Sequence, residues 1–219
     1  MKITISKENY LKAIAEAESE GEIVKAATLA RWLNVSPPAV TMAIRRLKRD
    51  SLIRVGGEGQ LTLTDAGRDI ANRILQRHHL IERMLSEIFG MEWYKVHDEA
   101  EQLEHAVSAD FERRLVEKLG VGLACPHGNQ VESDTAQDRR ARGLQPLSEV
   151  SGHRQARVVS VVERDRKLLE YLHGLGIRPG AVVETVSRNN DQSVTLRLGG
   201  ESVQLGSGAA EKVWVETAA

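Results

Sequence analysis

The sequence is poor in several features that define whole classes of protein. It has a single cysteine, Cys125, so no disulfide can form within one chain, and aromatic residues make up only 4 %. No apolar run approaches the roughly 20 residues that a membrane-spanning helix requires. The first residues also lack the apolar stretch of a secretory signal. We therefore expect a reduced, cytoplasmic protein with no membrane partner.

Net charge is also nearly absent, but its distribution along the chain is uneven. There are 30 Lys and Arg residues against 31 Asp and Glu. Residues 24–54 carry seven basic side chains and one acidic one, whereas residues 81–127 carry five basic and ten acidic ones. The first block suggests an anionic partner and the second suggests cations, although ordinary solvated helix faces give the same pattern.

The first third of the chain has the pattern of a winged helix-turn-helix. Apolar residues at helical spacing predict three helices, over residues 5–19, 24–33 and 38–50. Two short strands are predicted at 52–55 and 60–63, on either side of a glycine-rich turn. This order of elements indicates a helix-turn-helix followed by a two-stranded wing.

The third helix of this module has the features of a DNA recognition helix. Such a helix enters the major groove, where small and polar side chains approach base edges and basic ones contact phosphates. Ser36 also fits the N-cap of the helix. The candidate DNA-contacting residues are Ser36, Pro38, Ala39, Thr41, Met42, Arg45, Arg46 and Arg49. A winged helix that contacts another protein is the alternative, but the basic surplus favours double-stranded DNA.

The acidic block contains the strongest motif. His78 and Glu82 lie one turn apart on a long helix that is predicted to run from Asp65 to about Phe89. On the following helix, four residues fall within an arc of about 100°: His97, Glu101, Glu104 and His105. Such an arc is costly to bury without partners, and a divalent cation removes that cost.

Two further features accompany this motif. Cys125 and His127 form a C-x-H pair that can supply a soft and a borderline ligand. His79 and His153, in contrast, are predicted to be plain surface residues.

The rest of the chain completes a mainly α protein with a small β domain. Helices are predicted at about 93–106 and 108–119, and residues 128–152 have the polar composition of a linker or exposed loop. From residue 153, five short strands and one helix indicate a small, partly closed barrel. The predicted domains are 1–75 for DNA binding, 76–140 for dimerisation and metal binding, a linker at 141–152, and a β domain at 153–219.

These motifs together resemble the diphtheria toxin repressor family of metal-dependent transcriptional regulators. The residues that carry the resemblance are His78 to Arg83, Lys95 to Ala100 and Glu104-His105, after an N-terminal winged helix. The string Cys125 to Gly128 is similar to the manganese-responsive members. The resemblance covers essentially the whole chain and implies a winged helix-turn-helix, a helical dimerisation and metal domain, and a C-terminal SH3-like barrel.

The resemblance also implies two metal positions per subunit. The first position uses Glu101, Glu104 and His105, with a contribution from Asn9, whose neutral amide binds more weakly than a carboxylate. The second position is implied by the resemblance to use a larger set: His78, Glu82, His97, Cys125, His127 and a carboxylate of the β domain. Asp165 is the predicted carboxylate, with Glu163 as the next choice.

The donor types favour manganese or iron as the cofactor. Carboxylate and carbonyl oxygens suit Mn²⁺, whereas thiolate shifts a site toward Fe²⁺ or Zn²⁺, and Zn²⁺ is expected to bind in vitro. Since His and Cys ligate only when deprotonated, activation should weaken as the pH falls toward about 6.

The function implied by the resemblance is a repressor, not an enzyme. A homodimer is expected to bind a palindromic operator when loaded with metal, and to take no small organic substrate. The apolar residues expected at the dimer interface are Ile70, Ile74, Leu85, Ile88, Phe111, Leu115 and Leu119. The alternatives are a winged-helix regulator that senses a small molecule and a metallohydrolase, although no H-E-x-x-H helix is present.

Overall fold

The computed structural model describes residues 3–120, 124–130 and 134–217. Its elements, in chain order, are α1 (Ile5–Ser19), α2 (Ala26–Trp32), α3 (Pro37–Arg49), β1 (Ile53–Val55), β2 (Leu61–Leu63), α4 (Asp65–Arg83), α5 (Val96–Leu103), α6 (Ala109–Leu119), α7 (Ala136–Ala141), β3 (Leu144–Pro146), β4 (Arg154–Val161), α8 (Arg166–Gly174), β5 (Val182–Arg188), β6 (Val194–Leu198), β7 (Glu201–Leu205), α9 (Ser207–Ala210) and β8 (Val213–Thr217). A π-helical turn, Met84–Ile88, continues α4. The predicted architecture of a helical front part and a C-terminal β-sheet is confirmed.

The N-terminal module is a winged helix-turn-helix built on one apolar core. Leu11 and Ile14 of α1 are fully buried, and they share this core with Val40 and Leu47 of α3. The wing is the antiparallel pair of β1 and β2. Prolines occupy the first turn of α3, where a missing N–H costs no helical hydrogen bond. Ser36 stands at the N-cap of α3, but its side chain makes no capping hydrogen bond.

The long helix α4 connects the wing to the helical middle of the molecule. Thr64 caps it by accepting a hydrogen bond from Gly67 N at 3.1 Å. Gly67 is required there, because a Cβ atom at this position would lie 2.0 Å from Leu52 O. Near the other end, the Arg83 guanidinium donates to Leu119 O and Gly120 O, so it satisfies carbonyls at the end of α6.

The C-terminal part is a six-stranded antiparallel sheet in the order β3-β8-β4-β5-β6-β7. It differs from the sequence expectation at residues 141–152, because β3 lies within the predicted linker and pairs with β8. Leu147 and Val150 of the same stretch are buried in the core of the sheet. Residues 131–133 of the wider polar region lie outside the described residues. The polar composition of this stretch gives no indication of β3, an edge strand of only three residues.

None of the helices in the described ranges is long and apolar enough to cross a membrane.

Candidate metal centre

Seven side chains with metal-ligating atoms meet between the helices and the C-terminal sheet. They come from α4, the first turn of α5, the loop 124–130 and the segment after β4: His78, His79, Glu82, His97, Cys125, His127 and Glu163. Every one of them is at most 8 % exposed. We call this set the buried cluster. His78 and Glu82, one turn apart on α4, face His97 of α5.

One side of the buried cluster is formed by two imidazoles and two carboxylate oxygens. His78 Nε2 lies 3.0 Å from Glu82 Oε1 and 3.0 Å from His97 Nδ1. Glu163 Oε1 lies 3.8 Å from His97 Nδ1. Ligand atoms of these four residues all lie within 4.8 Å of one another, which is compatible with a shared metal ion.

The other side of the buried cluster is formed by the loop that follows α6. Cys125 Sγ lies 3.5 Å from Glu163 Oε2, and His127 Nδ1 lies 3.4 Å from Glu82 Oε2. His79, Glu82, Cys125 and Glu163 form a second group of mutually close ligand atoms. Gly128 lets this loop approach the sheet, because a Cβ atom there would lie 1.9 Å from Val159 O and its φ is +82°.

Residues around the buried cluster orient its members. His78 Nδ1 faces away from the cluster and lies 2.7 Å from Glu104 Oε2. Asn129 donates hydrogen bonds to Glu163 Oε2 at 2.6 Å and to Val161 O. A carboxylate behind a ligating imidazole is a common arrangement in metal sites, because it fixes the ring and its tautomer.

The electrostatics of the cluster without an ion show how strongly its charges interact. Burial and the nearby Lys12 ammonium both disfavour charge on His78, yet Glu82 and the contacts with Glu104 outweigh them and raise its pKa to about 10. Burial raises the pKa of the Cys125 thiol well above 9.0, and Glu82 and Glu163 add to this effect. The cluster therefore holds protons that a metal ion would displace.

The donor set fits a divalent cation. His127 Nε2 and His79 Nδ1 are buried and have no hydrogen-bond partner, and His127 Nδ1 approaches the buried Glu82 Oε2 only to 3.4 Å. Buried polar atoms without partners are costly and rare, so these atoms indicate an incomplete site. Imidazole, carboxylate and thiol donors are together those of manganese, iron and zinc sites.

Two expectations about this region are corrected. Asp165 does not reach the cluster, because its carboxylate caps α8 through Leu168 N and pairs with Lys212. Glu163, the second choice, lies in the cluster instead. His79 is not a surface residue, since it is 4 % exposed and its Nε2 lies 3.4 Å from Glu163 Oε1.

The first predicted position contains a cation of the chain itself. The structure brings Asn9, Glu101, Glu104 and His105 around a pocket of about 210 Å³. Lys12 Nζ lies among them, 2.7 Å from Glu104 Oε2 and 3.8 Å from Glu101 Oε1. A divalent ion fits these donors only if the ammonium moves away, so this position fits an ion less well than the buried cluster does.

Other contacts at this position are weaker indications of a ligand. His105 Nδ1 lies 3.1 Å from Glu8 Oε2, and its Nε2 lies 3.3 Å from Glu104 Oε1. Asn9 Oδ1 is buried without a hydrogen-bond partner. Sequence reasoning missed Lys12, whose only signal was a charge within the apolar run of α1.

Arg164 connects the C-terminal sheet to the N-terminal module. Its guanidinium donates to Glu16 Oε2 at 2.7 Å and to Trp32 O at 3.0 Å, and it lies 4.4 Å from the centre of the Trp32 ring. Because Arg164 directly follows Glu163, one dipeptide joins the buried cluster to α1 and α2. This contact was not predicted from the sequence.

The predicted DNA-contacting residues lie together on the exposed side of the recognition helix. Val40 and Leu47 face the core, while the following residues are exposed: Ser36, Pro38, Ala39, Thr41, Met42, Arg45, Arg46 and Arg49. Met42 is 48 % exposed although it is apolar, which suits a surface that a partner covers. The contact with DNA itself stays a prediction.

The predicted dimer residues differ in burial. Four of the seven are buried inside one chain, Ile70, Ile74, Leu85 and Leu115, and Leu119 is partly buried. Ile88 and Phe111 are 41 % and 44 % exposed, and Phe89, which was not singled out, is 69 % exposed. The exposed aromatic and aliphatic side chains at the end of α4 and on α6 are therefore the better candidates for an interface.

Comparisons with known proteins agree with this geometry. Three family models match the chain: the N-terminal DNA binding domain of iron dependent repressors at residues 2–61, their metal binding and dimerisation domain at 64–132, and the FeoA domain at 145–217. The iron-dependent repressor IdeR of Mycobacterium tuberculosis is 35 % identical over 221 residues, covering 95 % of this chain and 96 % of that protein. The diphtheria toxin repressor of Corynebacterium efficiens is 33 % identical over 218 residues, covering 95 % and 94 %.

Solved structures give the same result. A manganese-dependent transcriptional repressor in complex with manganese superposes with a TM-score of 0.86 at 30 % identity, over 97 % of this chain and 100 % of that one. ScaR with bound Zn²⁺ has a TM-score of 0.81 at 28 % identity, over 97 % and 99 %. The resemblance inferred from the motifs is thus confirmed, and the chain belongs to the iron-dependent, or diphtheria toxin, repressor family.

Proposed function

We propose that this chain is a metal-activated transcriptional repressor. A homodimer binds a palindromic operator in double-stranded DNA when the subunits are loaded with Mn²⁺ or Fe²⁺, and it controls genes for metal uptake. It acts in the cytoplasm and has no catalytic role, no membrane partner and no small organic substrate. The observation that carries the proposal is the buried cluster, whose orphaned donor atoms lie next to the DNA-binding module.

A chain of contacts from the buried cluster to the recognition helix supports a coupling between metal binding and DNA binding. Glu104 contacts His78 Nδ1, the ring nitrogen that faces away from the cluster, and Lys12 of α1 donates a hydrogen bond to the same carboxylate. Helix α1 shares its core with α3, so a shift of α1 moves the recognition surface. When bound, a divalent cation supplies the positive charge that holds Glu82 and Glu163 close to the imidazoles after these lose their protons.

A dimer needs the correct spacing of its two recognition helices. Half-sites one DNA turn apart require a separation of about 34 Å. Contacts that favour this spacing in the loaded state shift the population toward the DNA-binding form, and coupling free energies of ~1–3 kcal/mol are typical of such switches. The exposed Phe89 and Phe111 are proposed to contribute to the dimer interface.

The donor types support a proposal for the identity and number of the ions. Carboxylate and imidazole donors favour Mn²⁺ or Fe²⁺, Cys125 also admits Zn²⁺ in vitro, and we propose two ions per subunit.

The operator test uses fluorescence anisotropy with a chelator and then with Mn²⁺, Fe²⁺ or Zn²⁺. The proposal predicts metal-dependent binding by the wild type and by His153→Gln, which replaces an exposed histidine, and loss of that dependence in His78→Gln.

Two results would contradict this proposal. Operator binding that is equal with chelator and with every ion would remove the metal switch. Binding that depends on metal but is unchanged in His78→Gln would place the switch outside the buried cluster.

A further inference from the structure

Lys12 is a buried cation at a position where metal ligands are expected. The residue belongs to α1 and is only 3 % exposed. Its Nζ lies 2.7 Å from Glu104 Oε2 and 3.8 Å from Glu101 Oε1, two donors of the first predicted metal position. Lysine is rarely fully buried unless it is paired, so these carboxylates account for its burial. The ammonium supplies at Glu104 the positive charge that a divalent ion would bring.

The side chain of Lys12 keeps its charge in this environment. Burial disfavours the ammonium, but three nearby carboxylates, led by those of Glu16 and Glu104, outweigh burial and raise the pKa of Lys12 above its ordinary value. A divalent ion that approaches Glu104 therefore meets a cation and not a neutral amine. Because two cations repel each other at such short range, the ion and the ammonium compete for the same carboxylate.

The pocket around Lys12 has room for an ion. Asn9, Glu101, Glu104 and His105 line this pocket, which has a volume of about 210 Å³. One water molecule needs roughly 10–15 Å³ of such volume, so an ion with several waters fits. Asn9 Oδ1 is buried without a hydrogen-bond partner in the described part of the chain, and it supplies a further oxygen donor. The donors are in place, and the ammonium is the obstacle.

A second acceptor for the ammonium lies one helical turn away. Glu16 is four residues after Lys12 on α1, and its Oε1 lies 3.8 Å from Lys12 Nζ. That oxygen is buried and has no hydrogen-bond partner among the described residues. The other oxygen of Glu16 accepts a hydrogen bond from Arg164 at 2.7 Å, which holds the carboxylate in place. The flexible lysine side chain can therefore leave Glu104 by rotation and still keep a buried carboxylate as its partner.

We propose that Lys12 is a tethered competitor of the divalent ion at the first position. Its ammonium occupies the ligand Glu104 in the ion-free protein and moves to Glu16 when an ion binds. This competition lowers the apparent affinity of the position, so Lys12 sets the ion concentration at which the position fills. The inference rests on the proposed function, because it concerns one of the two ions that we assign to each subunit.

The first measurement is the binding of Mn²⁺ to the full-length protein, by equilibrium dialysis under anaerobic conditions. In Lys12→Gln, the weaker of the two ions should bind at least about tenfold more tightly, because it no longer displaces a charge-assisted hydrogen bond. Lys7→Gln is the matched control, since Lys7 lies on the same helix and pairs with Asp50. It should bind both ions as the wild type does.

The outcomes of this measurement separate the inference from the proposed function. Unchanged or weaker binding of the second ion in Lys12→Gln would overturn the inference and leave the proposed function intact. Absence of bound ions in the wild type and in both variants would overturn the two together.

The second measurement follows the ammonium in the wild type and does not depend on the folding of Lys12→Gln. Nitrogen-15 NMR of the lysine ammonium groups is recorded during a titration with Zn²⁺, which is diamagnetic, and the signal of Lys12 is the one that Lys12→Arg lacks. We expect this signal to shift as the protein is saturated, and to keep its position in Glu101→Gln/His105→Gln, which lacks donors of the first position. A signal that stays unchanged up to saturation in the wild type, or that shifts equally in the double variant, would overturn the inference.

Discussion

Two groups of buried carboxylates lie on opposite sides of His78, and they differ in what compensates their charge. On one side, Glu82 and Glu163 face imidazoles and a thiol, and several of the atoms have no partner. On the other side, Glu104 contacts Lys12, a cation that is only 3 % exposed. The first group is compensated by imidazoles that hold exchangeable protons, which a metal ion can replace, whereas the second is compensated by an ammonium of the chain. A motif of histidines and carboxylates therefore does not by itself establish where metal binds.

The largest effect that this comparison predicts is for Glu82→Gln. The carboxylate is shared by both halves of the buried cluster, and losing a direct ligand should cost more than the roughly 10–100-fold that residues behind the ligands cost. We expect Mn²⁺ affinity to fall by at least about 100-fold in equilibrium dialysis. Glu87→Gln is the control, because Glu87 is half exposed and pairs with Arg83. A Glu82→Gln protein with wild-type affinity would show that the cluster does not hold the ion.

The other group predicts a large loss of stability without metal. Lys12→Gln leaves Glu104 and Glu16 buried without their ammonium, and removing one partner of a buried ion pair typically costs about 3–5 kcal/mol. The free energy of unfolding in urea with chelator should fall by about that amount. Lys7→Gln, which breaks a pair with Asp50 nearer the surface, should cost clearly less. Equal losses in the two variants would contradict the role assigned to Lys12.

Much of the buried cluster follows from sequence periodicity, and the reasons for the errors are specific. His78 and Glu82 share a helix face at any tertiary arrangement, so their proximity is predictable. Glu163 and Asp165 lie in an irregular segment after β4, where sequence spacing does not determine direction. His79 is adjacent to His78 in the sequence, and helical spacing therefore predicts that it is exposed. It is buried because α4 is packed against other elements on more than one face.

The same limits apply to the fold. The helices and the wing are predictable from the spacing of apolar residues, because each of these elements buries one of its own faces. The edge strand β3 does not, because its three residues gain their structure from pairing with β8 about 70 positions later. Lys12 was missed for a related reason, since its partner Glu104 lies on another helix.

His78 belongs to both groups, and its titration distinguishes them. Its pKa of about 10 without metal means that its imidazolium stabilises the ion-free protein fully below about pH 6.5, and that this contribution is lost as the pH rises through about 10. Metal binding displaces this proton, so Mn²⁺ affinity should rise about tenfold per pH unit for this proton between pH 6.5 and 9. Dialysis at several pH values measures the slope.

The control for this pH dependence is His153→Gln, which should keep the wild-type slope. In His78→Gln the slope should fall by one proton. A wild-type affinity that is flat over this range would mean that the protonated imidazole does not compete with the ion, and it would remove His78 from the ligands.

The smallest predicted effect concerns Arg164, which lies between the two groups of carboxylates. It pairs with Glu16 beside Lys12, stacks on Trp32 of the DNA-binding module and directly follows Glu163. A partly exposed ion pair with a cation–π contact is worth about 1 kcal/mol. Arg164→Gln should therefore raise the Mn²⁺ concentration for half-maximal operator binding roughly fivefold, measured by anisotropy, with unchanged affinity at saturating metal.

Arg166→Gln is the matched control for this variant, since Arg166 pairs with Asp98 and Glu170 and makes no described contact with the N-terminal module. It should leave the metal titration unchanged. If Arg164→Gln instead weakened operator binding equally at all metal concentrations, Arg164 would support the shape of the DNA-binding module alone. The coupling between the buried cluster and the recognition helix would then run through Lys12, Glu104 and His78, and the two groups of carboxylates would communicate only across the imidazole that they share.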